Sequence, residues 1–241
     1  MAGGVDAYAP IGVPKPIGRD IWIVDGPVVR MRYGLGSLPF PTRMTVVRLP
    51  DGRLWLHSPV KITSGLVPRI EALGRVAVLV APNRLHWMAL GEWQEVFPEA
   101  VTWAAPGVRP RRGFRIDHVL DDDSSSWGGA IAQLLVPGRY MTEAVFLHRD
   151  SRTLILTDLI ENFERGRIHG WLLRLLTGIG GVLDPEGSTP RDLRLTFRRR
   201  TVRGAVQTML NWAPERVVMA HGRPYLQDGT AELRRALAWA I

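Results

Sequence analysis

The stretch Val76–Trp93, VAVLVAPNRLHWMALGEW, decides how this chain is read. Val76 to Val80 is a run of β-branched and apolar residues and predicts a buried strand. Ala81-Pro82-Asn83 ends it, because proline has no N–H to give a central ladder and disfavours helix at the residue before it. His86 and Trp87 follow, and Met88 to Val96 is apolar with helical spacing. In α/β proteins a polar side chain just past a strand end, where a helix begins, is where chemistry tends to sit. Two later stretches repeat the arrangement. Thr153 to Thr157 runs into Asp158, and Arg216 to Ala220 runs into His221-Gly222. One His, one Asp and one His, each just beyond a hydrophobic strand, form the candidate site.

A chain of 241 residues has ample length to bury a core, and 46% hydrophobic against 22% charged residues is globular composition rather than disorder. The expectation is a single domain over residues 1–241, with residues 1–18 an extended N-terminal segment lying on the surface. No stretch approaches the ~20 apolar residues of a membrane span; the longest, Trp171 to Leu183, is interrupted by Arg174 and several glycines. MAGGVDAYAP has neither a basic n-region nor an apolar h-region, so a cytoplasmic location and no membrane partner are expected. Cysteine is absent, which removes disulfides and thiolate ligands and leaves His, carboxylate or water for any metal. The net charge of +8 is almost all arginine, Lys15 and Lys61 being the only lysines. The dense cluster Arg198-Arg199-Arg200 with Arg203 reads first as a solvated helix face and second as a nucleic-acid surface.

In chain order, Ile21 to Val24 predicts a strand, and Met31 to Arg43 is too rich in Gly and Pro for regular structure. Met44 to Leu49 and Leu54 to His57, joined around Asp51-Gly52, predict a β-hairpin. A helix is expected over Val60 to Leu73 with Gly74 at its C-terminal end. Strands follow at 101–104, 114–120, 131–136, 143–148 and 153–157. A helical, glycine-rich region fills 163–190, and Pro190 opens a longer helical region through Trp212. A strand at 217–220 and a helix capped by Thr230 end the chain. Two β-sheets packed face to face with helices outside, an α/β (α+β) sandwich of four αββα layers, suit this order.

This order, with SLPFPTRMTVVRLPDG, APNRLHW, TLILTDLIENF and VVMAHG as the most telling phrases, resembles the metallo-β-lactamase superfamily. Within it the chain resembles a poorly characterised bacterial branch, a family of unknown function whose loop reads roughly A-P-N-x-x-H-H. The superfamily carries an HxHxDH loop, a later His, a bridging Asp after a strand and a final His after the last strand. The resemblance implies that Asp158 is the bridging aspartate and His221 the final histidine, with His86 at the loop aspartate and Trp87 at the last loop histidine. Pro82 and Arg84 stand at the first two loop histidines, and residues 138–141 lack the histidine expected before the Glu143 strand. The ligands of one metal position are therefore gone, and His86, Asp158 and His221 remain for the other.

Two imidazoles and a carboxylate suit one zinc or ferrous ion with an open position for water. They also suit a relic in which Asp158 simply accepts hydrogen bonds from both imidazoles and no metal is bound. The resemblance implies a hydrolase of a small ester, thioester or lactone, with His86 and Asp158 catalytic and a small-molecule substrate. Alternatives are a non-catalytic descendant that binds a small molecule or a protein partner, and a nucleic-acid-binding or processing variant. Trp87 is expected to shrink or close the site. Among other residues, His57 reads as structural and Asn83 as a turn cap. Glu143 reads as surface or a supporting acceptor, and His118, His148 and His169 as solvated. Gly178, Gly180 and Gly181 make no phosphate loop, and no G-x-S-x-G is present.

Overall fold

A computed structural model describes residues 4–34, 36–110 and 113–241. The chain opens with β1 (Gly4–Val5), β2 (Pro14–Gly18), β3 (Ile21–Asp25), a hairpin of β4 (Val29–Tyr33) and β5 (Gly36–Phe40), then β6 (Arg43–Arg48) and β7 (Arg53–His57). Next come α1 (Leu66–Glu71), β8 (Arg75–Ala81), α2 (Leu90–Val96), β9 (Val101–Ala104) and β10 (His118–Val119). The second half holds β11 (Ile131–Pro137), β12 (Thr142–His148), β13 (Thr153–Ile155), β14 (Ile168–His169), α3 (Trp171–Gly180) and α4 (Arg191–Arg194). It ends with α5 (Arg199–Asn211), β15 (Arg216–Val218) and α6 (Gly229–Ala236).

One sheet has the order β10-β9-β8-β7-β6-β3-β2 and the other β11-β12-β13-β15. Their strands are apolar on both faces because both faces are covered. In β7, Leu54 and Leu56 pack outward against α1 and α2 with Ile70, Leu90 and Trp93. Trp55 between them points inward to Phe146 and Ile155 of the opposite sheet; the strand period of two makes this alternation. The smaller sheet repeats it: Val145 and Leu154 turn outward to Val206 and Met209 of α5 and to Leu233 of α6. Three cores in series give the four layers αββα that the element order predicts.

Several local expectations are corrected. Of the segment 1–18, residues 1–3 lie outside the described residues and the rest is partly woven into sheets: β1 pairs with β14, and β2 forms an edge of the larger sheet. Pro14 and Pro16 are tolerated in β2 because an edge strand need not donate along its outer side. Within Met31–Arg43, expected to be irregular, Met31–Tyr33 and Gly36–Phe40 lie in the β4–β5 ribbon, where Pro39 pairs with Arg30 and its lack of an N–H costs no bond to a third strand among the described residues. The helix expected over Val60–Leu73 is only Leu66–Glu71: Gly65 is left-handed (φ 73°), and Pro68 fits only a helix's first turn. The strand expected at 114–120 shrinks to His118–Val119, and the helical region after Pro190 divides into α4 and α5. Thr230 does not cap α6; its hydroxyl donates to Pro214 O at 2.8 Å. Leu35 of the apolar loop, and Arg111 and Arg112 of the basic loop, lie outside the described residues. Arg198–Arg200 and Arg203 are exposed, while Val202, Val206 and Met209 of α5 face the core, so the arginines line a solvated helix face. No helix among the described residues is long and apolar enough to cross a membrane.

One buried polar contact ties the sheets together beside the candidate site. Arg43 and Asp25 are opposite each other on β6 and β3, 2.7 Å apart at Nη2 and Oδ1. Arg43 Nη1 also donates to Met219 O (3.0 Å) and Gly222 O (2.7 Å), on either side of His221. Lys15 completes Asp25 at 2.8 Å. Replacing Arg43 with Met leaves two carbonyls and half of a carboxylate without donors in a dry site. The expected loss is about 3 kcal/mol, towards the low end for a broken buried pair because Lys15 remains. Urea unfolding measures it, and a change within experimental error would mean that the cation is not needed to close the sheets.

Candidate metal centre

His86, Asp158 and His221 converge. They extend from the C-terminal ends of β8, β13 and β15, so one comes from the larger sheet and two from the smaller, and the site lies at the mouth between them. One ligand atom from each lies within 4.8 Å of the others. His86 Nε2 is 3.3 Å from Asp158 Oδ2 and 3.4 Å from Oδ1, and His221 Nε2 is 3.4 Å from Oδ1. The two rings are tilted by 43° with centroids 5.1 Å apart.

Each side chain is held from behind. His221 Nδ1 is 2.7 Å from Pro41 O, and a carbonyl only accepts, so Nδ1 carries a hydrogen and Nε2 faces Asp158. Gly222 follows with φ 92°, and a Cβ there would strike the Asn162 backbone, which explains the glycine after this histidine. His86 Nδ1 is hydrogen-bonded to Ser58 Oγ at 2.7 Å. Asn83 caps the turn as predicted: its Oδ1 accepts from the N–H groups of Leu85 (2.8 Å) and His86 (3.2 Å). Its Nδ2 goes further, donating to Asp158 Oδ2 (2.6 Å) and Thr157 Oγ1 (2.9 Å). Glu143 is fully buried rather than at the surface. Its carboxylate accepts the backbone N–H groups of Thr157, Asp158 and Leu159 at 2.7–3.0 Å and so builds the turn that presents Asp158.

The remaining expectations divide. His57 is structural: it is buried, stacked on Trp55, and its Nε2 has no hydrogen-bond partner. His148 is buried on Ser151 Oγ (2.8 Å) rather than solvated, whereas His118 and His169 are exposed. Trp87 stacks on Phe114 (5.4 Å between ring centroids) and lines a cavity beside the site. It is absent from the lining of the 170 Å³ cleft that holds His86 and His221, so it does not close the site as expected. Ser58, Pro41 O and Arg43 were missed by the sequence reading, and only Ser58, next to His57 at a predicted strand end, left a local trace.

Burial alone would raise the Asp158 carboxyl, but the facing His86 charge and the hydrogen bond from His221 hold it well below the usual carboxylate range. Burial would likewise lower His221; contact with Asp158 outweighs it and moves the imidazole upward. Burial and the His86 charge press His57 down to about 3, so it is neutral. Burial and the Asp158 charge push Glu143 up to about 7, against the pull of its backbone donors.

The donor set fits a metal ion. A tetrahedral ion with bonds of ~2.0–2.1 Å puts its ligand atoms ~3.3 Å apart, and the His–Asp separations here are 3.3–3.4 Å. A neutral His221 with Nδ1 protonated turns a lone pair toward a carboxylate oxygen, and that contact is stable only with a cation or an extra proton between them. Anchoring the far nitrogen of each imidazole to a protein oxygen is what support around a metal site requires.

The layer order and the site at the mouth of two sheets define a metallo-β-lactamase fold, and solved structures match it over nearly the whole chain. The DIM-1 metallo-β-lactamase exposed to ceftazidime is 14% identical, with a TM-score of 0.65 over 98% of this chain and 97% of that one. The metallo-β-lactamase from Pontibacter korlensis is 14% identical (TM-score 0.62, 94% and 97% covered). The mono-zinc form of FIM-1 from Pseudomonas aeruginosa is 13% identical (TM-score 0.61, 95% and 94%). At these identities the likeness establishes the fold alone. More particularly, residues 20–109 match the family model "Domain of unknown function (DUF4336)". Comparison with curated proteins finds no match.

A further carboxyl stands three residues beyond Asp158. Glu161 is buried, and that burial, against a smaller opposing pull from His221, pushes it up to about 8 from an ordinary 4.5. The folded state thus holds a proton that the unfolded chain releases above pH ~4.5, so this group's contribution to stability falls as pH rises from there through 8. Glu161→Gln, which stays neutral, is expected to be relatively more stable than the parent near pH 9 and little different near pH 5. Urea unfolding across that range reads the difference; parallel pH profiles would show that Glu161 is accommodated as an anion.

Proposed function

We propose that the protein is a mononuclear metal-dependent hydrolase of a small ester, thioester or lactone, with His86, Asp158 and His221 as metal ligands. The observation that carries this reading is the convergence of three ligand side chains, two of them imidazoles whose far nitrogens are already bound to protein. Zinc or ferrous iron suits two imidazoles and a carboxylate with an open position. When bound, such an ion supplies Lewis acidity that lowers the pKa of a water toward ~7.

The chain's own groups do the rest. Pro41 O and Ser58 fix the two rings, so little reorganisation accompanies reaction. Asn83 holds one Asp158 oxygen and leaves the other facing His221. Asp158 is ionised at neutral pH and, as a catalytic group together with His86, can orient a water at the open position. Val29, Val60 and Met88 give the cleft an apolar wall.

A second reading, a hydrogen-bonded relic without metal, is favoured by one observation: Asn83 and both histidines already surround Asp158. Elemental analysis separates the two. Protein purified without chelator is expected to carry about one zinc or iron per chain, and His221→Ala to lose both the ion and any hydrolysis, because too few ligands remain. The variant should still fold. Metal at full stoichiometry in His221→Ala, or none in the parent after loading with zinc or ferrous iron, would defeat the hydrolase reading.

A further inference from the structure

Beside the 170 Å³ cleft lies a larger cavity of about 730 Å³, within the range that holds a small-molecule ligand. Arg30, Arg32, Arg84 and Arg109 line it, and no carboxylate does among the described residues. Elsewhere arginines meet acids: Arg43 with Asp25, Arg48 with Asp20, Arg167 with Glu164 and Arg235 with Glu232. Around this cavity the partners of Arg30 and Arg84 among the described residues are neutral. Arg30 donates to Ser37 Oγ (3.1 Å) and Ser37 O (2.9 Å). Arg84 donates to Tyr140 O (3.0 Å) and lies over the Tyr140 ring, 4.8 Å from its centroid. Such contacts orient a guanidinium without cancelling its charge. Part of the chain's +8 is therefore gathered at one concave place.

The larger cavity and the cleft share Met31, Leu85 and Met88 in their walls. Trp87 adds an aromatic face on the larger side. Charge, apolar wall and reacting centre thus follow one another along a continuous surface.

Building on the hydrolase reading, we propose that the substrate is an organic oxyanion whose phosphate or carboxylate is held by Arg30, Arg32, Arg84 and Arg109. Its apolar body runs over Met31, Leu85 and Met88 to the scissile bond at His86, Asp158 and His221. Guanidinium groups bind both kinds of oxyanion through paired N–H donors. Hydrolysis consumes one water: the acyl carbon gains the water's oxygen and loses its bond to the leaving oxygen or sulfur. The leaving atom then takes a proton, giving an acid and an alcohol or thiol, with nothing oxidised or reduced. Concave shape favours a small molecule over a polymer lying across a flat basic face.

The test is calorimetric titration of the full chain with phenyl phosphate, phenylacetate and neutral 2-phenylethanol. At least one anion is expected to bind and the alcohol not to, the tighter anion naming the head group. In an Arg32→Gln/Arg109→Gln double variant the anion should bind about tenfold more weakly, as expected for losing charge-assisted contacts at an exposed site. His221→Ala should still bind the anion, which separates this site from the metal reading. Equal binding of alcohol and anions, or an unchanged double variant, would overturn the proposal. So would a ten-nucleotide single strand that binds more tightly than phenyl phosphate and is released steeply by salt. Anion binding without metal or hydrolysis would defeat the hydrolase and leave the cavity assigned; metal without anion binding would do the reverse.

Discussion

The buried Arg43 guanidinium is the contact on which the site's geometry depends. It begins in the larger sheet, opposite Asp25, and reaches across to the carbonyls of Met219 and Gly222. Two residues earlier in the chain, Pro41 O accepts the Nδ1 hydrogen of His221. The three residues 41–43 leading into β6 of one sheet therefore set both the backbone around His221 and the orientation of its ring, although His221 follows a strand of the other sheet. Arginine suits the task because its charge persists when buried and its fork serves a carboxylate and carbonyls together.

The same cross-sheet logic recurs at the other two side chains. Asn83 follows β8 of the larger sheet, yet its amide nitrogen holds Asp158 and Thr157, which follow β13 of the smaller. Pro82 O, one residue before, accepts the N–H of Ala144 in β12 at 2.8 Å. Glu143, next to Ala144, takes the three N–H groups of the Asp158 turn. The loop bearing His86 and the turn bearing Asp158 are thus joined by buried polar atoms that are nearly all satisfied. Such networks are stiff, because moving one member leaves another unpaired where water cannot replace it.

What the sequence disclosed follows from which interactions are local. The VAVLVA run, the Asp51-Gly52 hairpin and the three polar residues past strand ends are written in consecutive residues, and the structure has all of them. The β4–β5 ribbon was hidden because Pro39 and the glycines forbid a central strand but not a free two-stranded one. The short α1 could have been read from Gly65 and Pro68 together, since proline admits only a few helical residues before itself. Glu143 and His148 looked exposed because a polar residue in a strand reads as outward. Each is buried with partners distant or specific enough that no periodicity signals them. The arginine-lined cavity was illegible for the same reason: its four cations come from three separate segments of the chain.

A proton and a metal ion make different demands on the same three side chains. A proton shared between imidazole and carboxylate draws nitrogen and oxygen to about 2.7–2.9 Å and aligns with one oxygen. An ion with bonds of ~2.0–2.1 Å holds its ligand atoms apart at ~3.3 Å and tolerates a nitrogen poised between two oxygens. His86 Nε2 lies nearly equidistant from both Asp158 oxygens, at 3.3 and 3.4 Å, and His221 Nε2 is 3.4 Å from one of them. These His–Asp separations are compatible with an ion between them. Here both imidazoles have their far nitrogen bound to protein oxygen, so both rings are oriented with Nε2 toward Asp158.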